Sequence, residues 1–264
     1  MSASSAGSRT DLSDTLHLAG EWVLLGGGPG LPVSYLEKGL RISGQFRAYQ
    51  HPGESVAKAL GSHITSIRDI VEDLRNFLDA LHLEKVNFIC HSWGCCLLLD
   101  LCRFFPSIVG KLVMISPMPL VLREWQRVED LLDSRMGYEV LDEISKKNGS
   151  EVMDVLNKFY CKKPIPAGLF EDFDAVTCEK IIEMMGEFDY AQDLKQKCEG
   201  LEQILWILGD GDPLWDGIDA REVLQGCGNI EILDDVGHYP FFEDWNQFKK
   251  VIQKHALTSP PPAT

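Results

Sequence analysis

Cys90-His91-Ser92-Trp93-Gly94 places a serine between a short apolar run and a helical pattern. A hydroxyl is a poor nucleophile at neutral pH, so it needs a neighbouring base and exposure at the end of a rigid element. A strand-turn-helix elbow supplies that exposure, and the helix N-terminus offers backbone donors and a favourable dipole to developing negative charge. Val86 to Cys90 reads as the strand and Gly94 to Phe105 as the helix, with Pro106 stopping it. Gly94 suits the crowded position two after the serine, whereas Cys90 only approximates the small residue wanted two before. The competing reading, Ser92 as a simple helix cap, is disfavoured by the strand before it and the helix after it.

A serine nucleophile needs three further parts. An oxyanion site requires backbone N–H groups aimed at the reacting oxygen, each removed donor costing about 2.7–4 kcal/mol. Gly26-Gly27-Gly28-Pro29-Gly30, after the apolar run Trp22–Leu25, is free to supply one, and it lacks the Lys-Ser/Thr of a phosphate loop and the spacing of a dinucleotide fingerprint. The base should stand on a loop after a late strand. Of the seven histidines only His238 does, just past Ile230–Leu233; His51, His63 and His82 lie in early loops or at a helix end, and His91 is inside the elbow. For the orienting acid, the strand Ile204–Leu208 runs into Gly209-Asp210-Gly211-Asp212-Pro213. Asp212 is favoured over Asp210 because the glycines let the chain curl back; Asp234 and Asp235 are too near His238 in sequence.

These residues need a scaffold that brings strand ends together. Short apolar runs alternate with helical patterns: Trp22–Leu25, Phe46–Tyr49, Val86–Cys90, Lys111–Ile115, Ile204–Leu208 and Ile230–Leu233 as strands. The clearest helix spans Thr65–Leu83, with Ile67, Ile70, Val71, Leu74, Phe77, Leu78 and Leu81 on one face and Ser66 and Asp69 as a capping box; a last helix covers Trp245 to His255. Such alternation predicts an α/β fold with a mostly parallel sheet, helices on both faces and right-handed crossovers. Residues 117–195 are helical, acidic and rich in Met and aromatic residues, and are read as an inserted cap on a core made of 15–116 and 196–257. Residues 1–14 and the Pro-rich 258–264 are expected to be disordered tails.

Composition bounds the function. The net charge of −15 argues against nucleic acid as a partner, and no basic stripe interrupts it. No apolar run reaches the roughly 18 residues needed to span a bilayer, and the N-terminus lacks the apolar stretch of a signal peptide. The expected setting is cytoplasmic, with the eight cysteines as thiols. Cys90, Cys95, Cys96 and Cys102 surround one apolar segment without zinc spacing, so small buried core residues, and no metal, are expected there.

Several of these segments together resemble a known family. Val23-Leu24-Leu25-Gly26-Gly27-Gly28-Pro29-Gly30 is similar to the His-Gly-Gly-Pro-Gly segment of proline iminopeptidases and their relatives in the α/β-hydrolase superfamily. Phe46 to Ser55 resembles the strand and Pro-Gly loop that follow it, Ser92-Trp93-Gly94 the nucleophile elbow, and Gly209-x-x-Asp212 and Gly237-His238 the acid and histidine loops. The likeness covers about residues 18–256, and the order Ser, Asp, His is that of α/β-hydrolases. It implies Ser92 as nucleophile, His238 as base, Asp212 as orienting acid, and the amides of Gly28 and Trp93 as oxyanion donors, with no cofactor. It departs from the family at Gly26, where the relatives carry histidine, and at Cys90, Cys95 and Cys96, where they favour glycine. The N-terminus also leaves little room for the leading hairpin of many relatives.

The expected activity is acyl transfer on a small molecule or small peptide. Release of a small N-terminal residue such as proline is the first expectation, and cleavage of a carboxylester, lactone or thioester by the same triad the second. A catalytically silent receptor or scaffold is disfavoured by the complete set of three residues. In the peptidases, cap glutamates hold the substrate amine. Glu171, Glu179, Glu183 and Glu187 are candidates here, and the sequence does not choose among them.

Overall fold

The structure, a computed structural model, describes residues 15–51, 64–147, 149–192, 194–198, 201 and 203–255. The tails expected at 1–14 and 258–264, and residues 52–55 of the Pro-Gly loop, lie outside the described residues. Among the described residues six strands form one sheet: β1 (Leu16–Leu25), β2 (Ile42–Tyr49), β3 (Val86–His91), β4 (Val109–Ile115), β5 (Gln203–Gly209) and β6 (Asn229–Leu233). Their order is β2-β1-β3-β4-β5-β6, and every pairing among them is parallel. β1 starts at Leu16 rather than Trp22, and β2 at Ile42 rather than Phe46, because their first halves are partly exposed and carry polar residues. Apolar runs mark only the stretches of strand buried on both faces.

Alternation along each strand feeds two cores. Val23, Leu25, Phe88, Cys90, Met114 and Trp206 point to one face, where they meet α2 (Ile67–Ala80), α3 (Trp93–Phe104) and α8 (Ala220–Val223). Trp22, Leu24, Ile89, Ile115 and Ile207 point to the other, covered by α1 (Ser34–Leu40), α9 (Pro240–Glu243) and α10 (Trp245–Lys254). Helices thus cover both faces, as a parallel sheet requires. The capping box at the start of α2 is present: Ser66 Oγ accepts from Asp69 N at 3.3 Å, and Asp69 Oδ2 accepts from Ser66 N at 2.8 Å. The buried cysteines 90, 95, 96 and 102 are free thiols of the first core, and burial pushes each thiol up, Cys102 to about 12. Among the described residues no group of three or more His, Cys, Asp or Glu side chains is placed to hold a metal ion. No described helix is long and apolar enough to cross a membrane.

Between β4 and β5 lie α4 (Leu122–Ser145), α5 (Ser150–Tyr160), α6 (Ala175–Met185) and α7 (Leu194–Cys198). Strand-type pairing in this stretch, among the described residues, is a single antiparallel bridge between Val121 and Asp189. The helical stretch runs on to Cys198, past the boundary expected at residue 195, and the sheet resumes at Gln203. α7 is too short to show a helical period in sequence. Among the described residues the insertion has no core of its own: Val128, Leu132, Ile181 and Met185 join the first core, and Met153, Leu169 and Phe170 join the second. Gly137, at φ 71° and ψ 169°, kinks α4. Only glycine enters that conformation without strain.

Candidate active site

The elbow is built from β3 and α3. Ser92 sits between them at φ 53° and ψ −121°, a conformation that costs a non-glycine residue free energy and that nucleophile elbows use to push the side chain clear of the chain. It makes no side-chain cap hydrogen bond to α3, so helix capping does not account for it. Gly94 has to be glycine: a Cβ there would fall 2.6 Å from the main-chain oxygens of Leu25 and Gly26. That contact presses the start of α3 against the glycine loop. Cys90 fits because it lies inside β3 with its side chain in the core.

His238 and Asp212 meet from loops after β6 and β5. His238 Nδ1 donates to Asp212 Oδ2 at 2.8 Å, and both side chains are almost fully buried. Since a carboxylate only accepts, the neutral imidazole carries its proton on Nδ1 and leaves Nε2 free to take one. The other carboxylate oxygen, Asp212 Oδ1, accepts from Leu214 N at 3.0 Å, which fixes the acid. Asp210 is exposed, and its Oδ1 accepts from Val236 N at 3.4 Å, so it faces the histidine loop's backbone rather than its ring.

Ser92, His238, Gly27, Gly28 and Trp93 line one cavity of about 510 Å³. Its walls are mainly apolar, with Met118, Trp125, Met153, Leu156, Phe173 and Ile182 from the insertion and the loop leading to it. Three glutamates also line it: Glu179 and Glu183, two of the four acids among which the sequence did not choose, and Glu129, which no motif singled out. Partial desolvation, with Asp133 and Asp130 nearby, raises the Glu129 carboxyl above its ordinary value. Glu171 and Glu187 are exposed and are not part of the lining.

Two residues to which the sequence gave no chemical role, Tyr35 and His91, connect the parts. His91 Nε2 lies 2.9 Å from the main-chain oxygen of His238, a pure acceptor, so Nε2 carries the proton. Nδ1 is then an acceptor, and Tyr35 Oη donates to it at 2.6 Å. Tyr35 Oη in turn accepts from Gly27 N at 2.6 Å. Burial holds the His91 ring well below its ordinary pKa and raises the Tyr35 phenol, so the ring stays neutral and the hydroxyl keeps its proton. One chain of hydrogen bonds therefore runs from the glycine loop through α1 and the elbow to the histidine loop. It also commits the Gly27 amide, while Gly28 faces the cavity at φ 56°. Sequence offered no sign of Tyr35. His91 stood next to the serine, but nothing gave its partners.

Comparison with known proteins agrees with this architecture. A family model described as alpha/beta hydrolase fold matches residues 45–161. No curated protein sequence matches the chain. Among solved structures, an esterase from Exiguobacterium antarcticum superposes with a TM-score of 0.66 at 16% identity, over 91% of this chain and 92% of the other. A proline iminopeptidase-related protein from Thermus thermophilus gives 0.64 at 18% identity, over 90% and 89%. The proline iminopeptidase of Mycobacterium smegmatis gives 0.59 at 14% identity, over 90% and 89%. Sheet order, elbow and these likenesses converge: the chain has the α/β-hydrolase fold.

Proposed function

We propose that the protein is a serine hydrolase working through an acyl-enzyme, with Ser92 as nucleophile, His238 as general base and Asp212 as orienting acid. The observation that carries this reading is the 2.8 Å bond from His238 Nδ1 to Asp212 Oδ2, which turns the other ring nitrogen away from the acid, with His238 and Ser92 lining the same cavity. His238 Nε2 takes the Ser92 proton as Oγ attacks the substrate carbonyl. The amides of Gly28 and Trp93 receive the oxyanion. Collapse of the tetrahedral intermediate expels the leaving group, which takes the proton from His238. Water, deprotonated by the same imidazole, then attacks the acyl-enzyme and releases the acid.

For substrate, the first reading is release of an N-terminal residue from small peptides or amides. Glu129, Glu179 and Glu183 give the cavity a negative edge suited to a free amine. The proline iminopeptidase among the similar folds points the same way. The second reading, a carboxylester, lactone or thioester, is supported by the apolar walls and the esterase among the similar folds. The protein is read as acting in the cytoplasm without a metal or organic cofactor.

The test is labelling with a fluorophosphonate probe, wild type against Ser92→Ala. Labelling lost in the alanine variant is expected, and labelling that persists there, or is absent from the wild type, removes the reading. Assays on a prolyl arylamide and a short nitrophenyl ester then separate the two substrate classes.

A further inference from the structure

Glu243 lies outside the group that would touch substrate, yet its buried carboxylate accepts from four main-chain amides. Oε2 takes Lys162 N at 2.7 Å, Lys163 N at 3.1 Å and Gly237 N at 2.9 Å. Oε1 takes Tyr239 N at 3.0 Å. Burying a carboxylate is costly unless its lone pairs are filled, and here donors fill them. Closing the first turn of α9 would need the Tyr239 amide alone. The other three donors have a different use.

Those donors belong to two segments that meet at His238. Gly237 and Tyr239 flank the histidine; Lys162 and Lys163 follow α5 in the helical insertion. The seam is close: a Cβ on Gly237 would stand 2.4 Å from the Tyr160 oxygen, and that oxygen accepts from His238 N at 2.9 Å. On the outside, Lys163 Nζ pairs with Asp235 and Asp244 at 3.5 and 3.4 Å. With the His91 bond to its carbonyl, both main-chain polar groups of His238 are engaged, one by the insertion and one by the elbow.

We propose that Glu243 is a positioning residue that locks the insertion and the His238 loop into one register, so that the docking of the insertion sets where the imidazole stands. The catalytic part rests on the serine-hydrolase reading above. Glutamine at 243 keeps the shape but loses the charge and turns an NH₂ group toward main-chain donors. A base displaced by about 1 Å can cost on the order of 100-fold in rate.

The test uses the full chain as wild type, Glu243→Gln and Ser92→Ala. Expected for Glu243→Gln is a fall of about 10- to 100-fold in kcat and in the rate of fluorophosphonate labelling, with KM changed less than about threefold and circular dichroism unchanged. A folded Glu243→Gln protein with wild-type kcat and labelling rate overturns the proposal, as does a loss confined to KM. Because that variant loses buried charge-assisted bonds, amide hydrogen exchange of the wild type gives a second measurement. The Lys162, Gly237 and Tyr239 amides should exchange as one unit, at rates within about tenfold of one another. A Lys162 amide that exchanges far faster than Gly237 overturns the lock without any variant. Wild type that fails to label at Ser92 fells the hydrolase reading, and the catalytic half of this proposal with it.

Discussion

His91 Nε2 donates to the main-chain carbonyl of His238 across 2.9 Å, joining residues 147 apart in sequence. The bond ties the turn that carries Ser92 to the loop that carries His238. Tyr35 extends it to the glycine loop, so three segments that must stay in register share one buried hydrogen-bond chain. Buried polar chains of this kind specify geometry when every member is satisfied and are costly when one is removed.

Tyr35→Phe deletes the middle of that chain. It leaves the Gly27 N–H and His91 Nδ1 without partners in an apolar setting, at an expected cost of about 1–3 kcal/mol each. Denaturant unfolding should show the lost stability, and fluorophosphonate labelling of Ser92 should slow about tenfold as the glycine loop loosens. A Tyr35→Phe protein with unchanged stability and labelling would mean the chain is ornamental.

Asp212→Asn should slow labelling at neutral pH by about 10³- to 10⁴-fold, because an asparagine amide can donate to Nδ1 and favour the wrong tautomer. Asp210→Asn, changing an exposed side chain on the same loop, should stay within about twofold of wild type, as surface substitutions usually do. Equal losses in the two variants would reopen the choice of acid.

The glutamates of the cavity separate the two substrate classes. Replacing Glu129, Glu179 and Glu183 together by glutamine should raise KM for a prolyl arylamide about fivefold or more, the scale expected of partly exposed charge pairs. Hydrolysis of a neutral nitrophenyl ester should not change. If neither KM responds, the amine reading has no support in this cavity.

Among the described residues neither ring nitrogen of the buried His51 has a hydrogen-bond partner, and desolvation lowers its pKa to about 4. A folded-state value below the unfolded 6.5 means the unfolded chain binds the proton first as pH falls. Stability is therefore whole above about pH 6.5 and is lost between there and about 4, by up to about 3 kcal/mol from this group. His51→Leu should match or exceed wild type at pH 7 and decline less steeply over that window, as urea titrations at several pH values would reveal. Parallel curves for the two proteins would refute the assignment.

Much of this arrangement was legible in sequence, for identifiable reasons. The strands that carry the site are buried on both faces, so Val86–Cys90 and Ile204–Leu208 stand out as apolar runs ending at Ser92 and at the Asp210–Asp212 loop. The glycines at 94 and 209 mark close approaches that no other residue permits. The hidden parts depend on contacts between distant segments. Tyr35 reads as an ordinary aromatic on α1, and Glu243 as one acid in an acidic, aromatic run; nothing local gives a partner 56 or 81 residues away. Glu129 lies on a helix whose exposed face is dense with acids, and only the packing of the insertion brings it to the cavity.

The backbone at Ser92 has a consequence for the protein's fitness as a folded object. A serine at φ 53° stores about 1–3 kcal/mol that a glycine would release. The most stable sequence for this fold is therefore not the one the chain has: Ser92→Gly would raise the melting temperature while abolishing the hydroxyl. Holding a serine where the backbone favours glycine is a standing thermodynamic handicap, and the packed sheet around the elbow is what carries it.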